Sequence, residues 1–104
     1  MMTAATIFTL LQQLEEALRA SGAWQDSAPD VQALQSTQPF AIDTLAPHEW
    51  LQWIFVPRMQ QMIEQQMALP AGFTLSPYFE EAWKERQEFA AVMQVLYQLD
   101  KVSQ

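Results

Sequence analysis

The sequence predicts an all-α fold, a compact bundle of three long helices and one short helix in a single domain spanning residues 1–104. Apolar residues recur at helical spacing through three long stretches, and no stretch alternates apolar and polar residues as a half-buried strand would. The periodic stretches are separated by helix stops and starts: Ser21-Gly22, Pro39 and the Leu69-Pro70-Ala71-Gly72 segment.

The first helix is expected over about residues 3–20, with Ile7, Leu10, Leu11, Leu14 and Leu18 forming its apolar stripe and Glu15 pairing with Arg19 outside. Gly22 suits the left-handed position just past a helix end, and Trp24 is placed to fold back over that end. A short helix follows, with Ser27 as N-cap, Pro29 in the first turn, Asp30 at the positive end and Val31 and Leu34 as its stripe. Pro39 ends it. Residues 40–45 read as an extended connector with apolar side chains turned inward.

Pro47 opens the second long helix, whose apolar face comprises Trp50, Leu51, Ile54, Phe55, Met59, Met62, Ile63 and Met67. Pro57 lies within it. A mid-helix proline removes one hydrogen bond and crowds the carbonyl four residues back, that of Trp53, so a kinked but continuous helix is predicted. After a connector at 69–75, Ser76-Pro77 starts the last helix, expected to run to about residue 99. Its face is Phe79, Ala82, Trp83, Phe89, Ala90, Met93, Leu96 and Tyr97, with Glu80 and Lys84 paired outside.

Half of the residues are apolar and 12% are aromatic, too rich a mixture for disorder. A chain of 104 residues buries roughly 60–65% of its unfolded surface in one core. Twelve acidic against five basic residues give a net charge of −7. A nucleic-acid binder gathers lysine and arginine against phosphate, whereas Arg19, Arg58, Lys84, Arg86 and Lys101 are scattered. Direct contact with RNA or DNA is therefore not expected, nor is an anionic membrane surface; a basic protein would be steered favourably. With no cysteine there is no disulfide framework or thiolate nucleophile. No basic residue precedes Arg19, and no apolar run reaches the ~18 residues of a membrane span, so a cytoplasmic setting is expected.

Residues 36–59 are the most informative stretch, gathering two of the four tryptophans, two phenylalanines and three prolines around one Asp-Thr pair. Asp43 can act as a base or nucleophile if buried; with Thr44 it more commonly supplies turn hydrogen bonds. Trp50, Trp53 and Phe55 can form a stacking platform, although the helix period already assigns them to core packing, with Phe55 swung to a different side from the two tryptophans. Arg58 and Arg86 border apolar faces, where each can anchor an anion or pack its stem and pair with a carboxylate such as Asp43. His48 has no second ligand at metal spacing, and the Met59, Met62 and Met67 stripe is either core filler or a partner face. No catalytic group, metal or cofactor is assigned.

Ser-Thr-Gln-Pro-Phe at 36–40, Asp-Thr at 43–44, Glu-Trp-Leu-Gln-Trp at 49–53, Pro-Arg-Met at 57–59, Leu-Pro at 69–70 and Pro-Tyr-Phe-Glu at 77–80 resemble the YqcC-like family of small bacterial proteins. The resemblance covers the middle two-thirds of the chain and implies a helical bundle in bacterial cytoplasm. It also implies association by gene neighbourhood with a tRNA pseudouridine synthase. Pro39, Phe40, Asp43, Trp50, Gln52, Trp53, Pro57, Arg58 and Met59 occupy the family's recurrent positions. Pseudouridine synthases themselves are larger mixed α/β enzymes with a basic cleft, unlike this acidic helical chain.

The expected function is a non-enzymatic accessory or interaction module using Phe40, Asp43, Trp50, Trp53, Arg58 and Met59 as its binding surface. Its partner would be a protein, an RNA-modifying enzyme among them, or a second copy in a homodimer. The alternative is a small-molecule-binding protein or enzyme with a pocket beside Asp43, Trp53 and Arg58.

Overall fold

Three sources of apolar surface converge on one core: α1 (Ala4–Ala20), α6 (Ala90–Ser103) and the helical path from Pro47 to Glu64. The computed structural model describes residues 3–104, and every regular element among them is helical. In order, α1 is followed by α2 (Val31–Leu34), a 3₁₀ turn (Pro39–Ala41), α3 (Pro47–Trp50), a π turn (Leu51–Phe55) and α4 (Val56–Glu64). Then come α5 (Ser76–Ala82), a second 3₁₀ turn (Gln87–Phe89) and α6.

The α1 stripe is buried as its periodicity requires, from Ile7 through Leu18. Its end is closed by two hydrogen bonds, Ala23 N–H to the Leu18 carbonyl at 3.0 Å and Gly22 N–H to the Arg19 carbonyl at 3.1 Å. Gly22 carries the positive φ of 81° that this closure demands. Trp24 folds back as expected, with the Arg19 guanidinium 4.8 Å from its ring centre.

Helices α3 and α4 form one continuous path through Pro57. The irregularity sits upstream of the proline, in the π turn, where the Val56 N–H reaches the Leu51 carbonyl five residues back. Pro57 cannot donate to Trp53, and the wider turn takes up its ring without breaking the helix. The path ends at Glu64, leaving Met67 51% exposed, so this end of the methionine stripe is not core filler.

Three expectations need correction. The short helix is capped by Asp30, whose carboxylate accepts from the Gln32 N–H at 3.2 Å, and not by Ser27; Val31 points outward. Residues 40–45 are not extended: Phe40 and Ala41 take φ values of 57° and 47°, and the reversal throws Ile42 into solvent while Ala41 and Leu45 go inward.

The third correction concerns the last helix, which is two helices. Trp83 and Phe89 stack with ring centres 4.1 Å apart and planes 10° from parallel. In one continuous helix, residues six apart lie about 120° apart around the axis and roughly 9 Å along it, so this stack requires the chain to turn between them. The turn resets the phase: Val92, Val95, Leu96 and Leu99 are buried, whereas Ala82, Ala90 and Tyr97 are not. Lys84 pairs with Glu81 at 3.1 Å instead of Glu80.

Helix α6 also holds down the 70–76 connector. The buried Asp100 carboxylate accepts from the N–H groups of Leu75 and Ser76 at 2.6 and 2.8 Å, capping α5 from across the bundle. The Ser103 hydroxyl donates to the Phe73 carbonyl at 2.9 Å, and the Gly72 N–H reaches the Ser103 carbonyl at 2.5 Å.

Candidate functional site

The left-handed turn at Phe40 positions the centre of the candidate face. It delivers the Phe40 ring onto Tyr78, stacked at 4.2 Å and 7°, and edge-on to Trp50 at 4.8 Å. Behind them lies the fully buried Phe79. Two adjacent residues with positive φ and no glycine store backbone strain, held here by ring packing of order 0.5–1.5 kcal/mol per aromatic pair. Burial pushes the Tyr78 phenol above its ordinary value.

Trp50 and Trp53 diverge. Trp50 stacks on Phe55 at 5.5 Å, contrary to the expectation that Phe55 lies on a different side. The π turn supplies the reason, since its five-residue hydrogen-bond repeat brings positions i and i+5 together. Trp53 donates its indole N–H to the Gln25 side-chain carbonyl at 2.8 Å. The same Gln25 amide donates to Glu49 at 3.1 Å, and the Gln52 amide pairs with the Gln25 backbone. The other carboxylate oxygen of Glu49 accepts from the Ala46 N–H at 2.8 Å, closing the start of α3.

Asp43 is exposed and accepts from the Ser36 hydroxyl at 2.5 Å; Ser36 Oγ in turn accepts from the Gln38 N–H at 3.1 Å. The Thr44 hydroxyl donates to the Ala33 carbonyl at 2.7 Å. Together these bonds clip the 36–44 segment to the end of α2, the turn-forming role that short polar side chains commonly fill.

Two adjoining grooves open on this face. One, of about 550 Å³, is walled by Trp50, Trp53, Pro57, Arg58 and the 36–41 segment. The other, of about 350 Å³, is walled by Phe55, Met59, Phe73 and Leu75. Pro39, Phe40, Trp50, Ile54 and Arg58 form the ridge common to both. The structure thus brings together Phe40, Trp50, Trp53, Arg58 and Met59. Asp43 lines neither groove.

Arg58 is exposed on the ridge, and among the described residues no carboxylate lies within ion-pair distance of it. The pairing with Asp43 considered from sequence does not form. Arg86 does pair, with Glu88 at 2.7 Å, and lies 5.3 Å from the Phe89 ring. Its hydrogen bond holds the Glu88 carboxyl below its ordinary value. His48 lines a separate hollow of about 300 Å³, where its buried Nδ1 has no partner. No group of three metal-ligating side chains occurs among the described residues. No described helix is long and apolar enough to cross a membrane.

Sequence reasoning passed over Gln25 and Asp100. Gln25 lies in an irregular segment with no pattern to mark it, and its role depends on Gln52 and Trp53, 27 and 28 residues away. Asp100 was detectable in principle as an acidic residue directly beside the apolar stripe of α6.

A family model described as tRNA pseudouridine synthase C, DUF446, matches residues 6–102. An uncharacterized protein of Haemophilus influenzae is 41% identical over 92 residues, covering 88% of this chain and 87% of that protein. YqcC of Escherichia coli, also called uncharacterized, is 38% identical over 91 residues, 86% of this chain and 84% of that protein. The NMR structure of Escherichia coli YqcC superposes with a TM-score of 0.84 at 36% identity, over 98% of this chain and 88% of that one. A Pectobacterium carotovorum protein called tRNA pseudouridine synthase C is 42% identical over 78 residues. Those residues are 75% of this chain but only 21% of that protein. With nearly its whole length matched by the family model and the NMR structure repeating its fold, this chain belongs to the DUF446 family, together with YqcC.

Proposed function

We propose that the chain is a non-catalytic accessory module that docks on a protein partner, and that this partner is a tRNA pseudouridine synthase. The observation that carries the reading is the Pectobacterium relative, a protein of that name in which a segment resembling this chain makes up 21% of the length. A segment built into one polypeptide can act in trans where it stands on a separate chain. The docking face is the Phe40, Trp50, Trp53 and Arg58 surface, where aromatic walls and an unpaired guanidinium adjoin. The net charge of −7 favours encounter with a basic, RNA-handling enzyme. A small-molecule pocket uniting Asp43 with Trp53 and Arg58 has less support, because Asp43 lies outside the grooves.

The test is mass spectrometry of what co-purifies with the tagged chain at native expression in its own host. A pseudouridine synthase is expected with the wild-type chain and is expected to be lost with Arg58→Glu. An eluate without a synthase overturns the partner, and recovery undiminished by Arg58→Glu overturns the face.

A further inference from the structure

We infer that the two adjoining grooves receive one apolar peptide segment carrying a single acidic side chain, its carboxylate set against Arg58 and its apolar side chains filling the groove on either side. The inference rests on the proposed docking face and names the chemistry of what docks there.

The distribution of charge around the grooves selects this occupant. The chain has 12 acidic residues, yet none lines either groove. Arg58 is the only charged side chain lining them, and it stands on the ridge common to both. Arg19, Lys84 and Arg86 each hold a carboxylate on the chain itself, while Arg58 has none within reach among the described residues. A guanidinium bordered by apolar walls and left without an anion is complementary to a carboxylate arriving from outside. Groove volumes of about 550 and 350 Å³ fall within the size range of ligand sites; the smaller is lined mainly by rings and aliphatic groups, and the larger sets the Trp50 and Trp53 rings beside polar groups of Ser36, Thr37, Gln38 and Gln61. Anchors on both sides of a central charge match an amphipathic segment lying across the ridge. The overall negative charge acts at longer range, on encounter; the contact itself is decided by the groove's own lining.

The experiment pans a randomised dodecapeptide display library against the immobilised full chain and, in parallel, against Arg58→Glu, whose melting temperature is checked first. Wild type is expected to enrich apolar and aromatic peptides with one Asp or Glu, and the variant to replace that residue by Lys or Arg. The best wild-type peptide is expected to bind the variant at least about tenfold more weakly. In NMR titration it is expected to shift the indole N–H signals of Trp50 and Trp53 and leave those of Trp24 and Trp83 in place. No enrichment over a blank surface overturns the inference, as does enrichment without acidic residues or indifference to Arg58→Glu. Movement confined to Trp24 or Trp83 overturns it too. Concentration-dependent dimerisation that occludes the grooves would make a second copy the occupant and equally overturn it. None of these outcomes bears on whether a synthase co-purifies, so the two readings fail separately.

Discussion

The Gln52 side-chain amide closes a ring of two hydrogen bonds with the backbone of Gln25, accepting from its N–H at 2.8 Å and donating to its carbonyl at 2.7 Å. Gln52 is 5% exposed and sits in the π turn, so the pair ties the segment after α1 to the second helical path. Replacing Gln52 by Leu keeps the volume and strands both Gln25 groups. A buried unsatisfied backbone group costs about 1–3 kcal/mol. We therefore expect Gln52→Leu to lower the melting temperature by at least about 5–10 °C, at about 4–8 °C per kcal/mol for a domain of this size. Circular dichroism melts measure it. An unchanged melting temperature would mean that water replaces the amide at no cost.

Asp100 makes the corresponding link at the other end of the bundle, capping α5 from α6. Hydrogen bonds to a charged acceptor contribute about 1.5–3 kcal/mol, and a carboxylate at a helix start is further favoured by the helix dipole. Asp100→Ala is expected to destabilise by about 2–4 kcal/mol. It should also accelerate hydrogen exchange at the Leu75 and Ser76 amides far more than at those of α1.

What could be read directly from the residues follows the range of the forces involved. The α1 stripe and its glycine closure depend on neighbours within five positions, and both form as the pattern requires. The break before Gln87 is set by Trp83 stacking on Phe89, a tertiary preference with no glycine or proline to mark it, so helical periodicity ran straight through. At the site, the aromatic residues and Arg58 were identifiable by type. Their arrangement was not, because it depends on a π turn before Pro57 and on two positive φ angles at residues that ordinarily avoid them. Asp43 was singled out by its chemistry, and its neighbour Ser36 assigns it to the loop.

Gln66 closes α4 in the left-handed conformation, with φ 55°, while the Met67 N–H reaches back to the Met62 carbonyl at 2.9 Å. This is the position where glycine is favoured. Gln66 is exposed, so its side chain gives up little on removal. Relief of a left-handed side-chain residue, about 1–2 kcal/mol, exceeds the backbone entropy glycine adds to the unfolded chain, about 0.4–1 kcal/mol. Gln66→Gly is expected to raise the urea midpoint with an unchanged m-value, and a lowered midpoint would refute the assignment of strain.

The Arg86 and Glu88 pair gives a pH signature. The hydrogen bond from Arg86 lowers the Glu88 carboxyl from its ordinary value, with the guanidinium charge adding to it. A depressed carboxyl contributes stability above the ordinary carboxylate range and loses it as pH falls through the folded-state value. Because the pair is exposed, the effect on overall stability is small. Side-chain NMR titration should find Glu88 below 4.5, returning toward that value in Arg86→Gln.

Phe79 separates the structural role of the aromatic cluster from its proposed binding role. It is fully buried and has ring neighbours on every side: Tyr78 at 4.9 Å, Trp83 at 5.0 Å, Phe40 at 5.8 Å and Trp50 at 6.2 Å. Removing such a ring costs about 3–5 kcal/mol, against a total of about 5–15 kcal/mol for a domain of this size. Phe79→Ala is therefore expected to melt at least about 15 °C lower or to fail to fold, and to lose peptide binding together with structure. Arg58→Glu, at an exposed and unpaired position, should keep the wild-type melting temperature within a few degrees while binding is lost. If Arg58→Glu instead lowered stability as Phe79→Ala does, the guanidinium would belong to the fold and not to the proposed docking face.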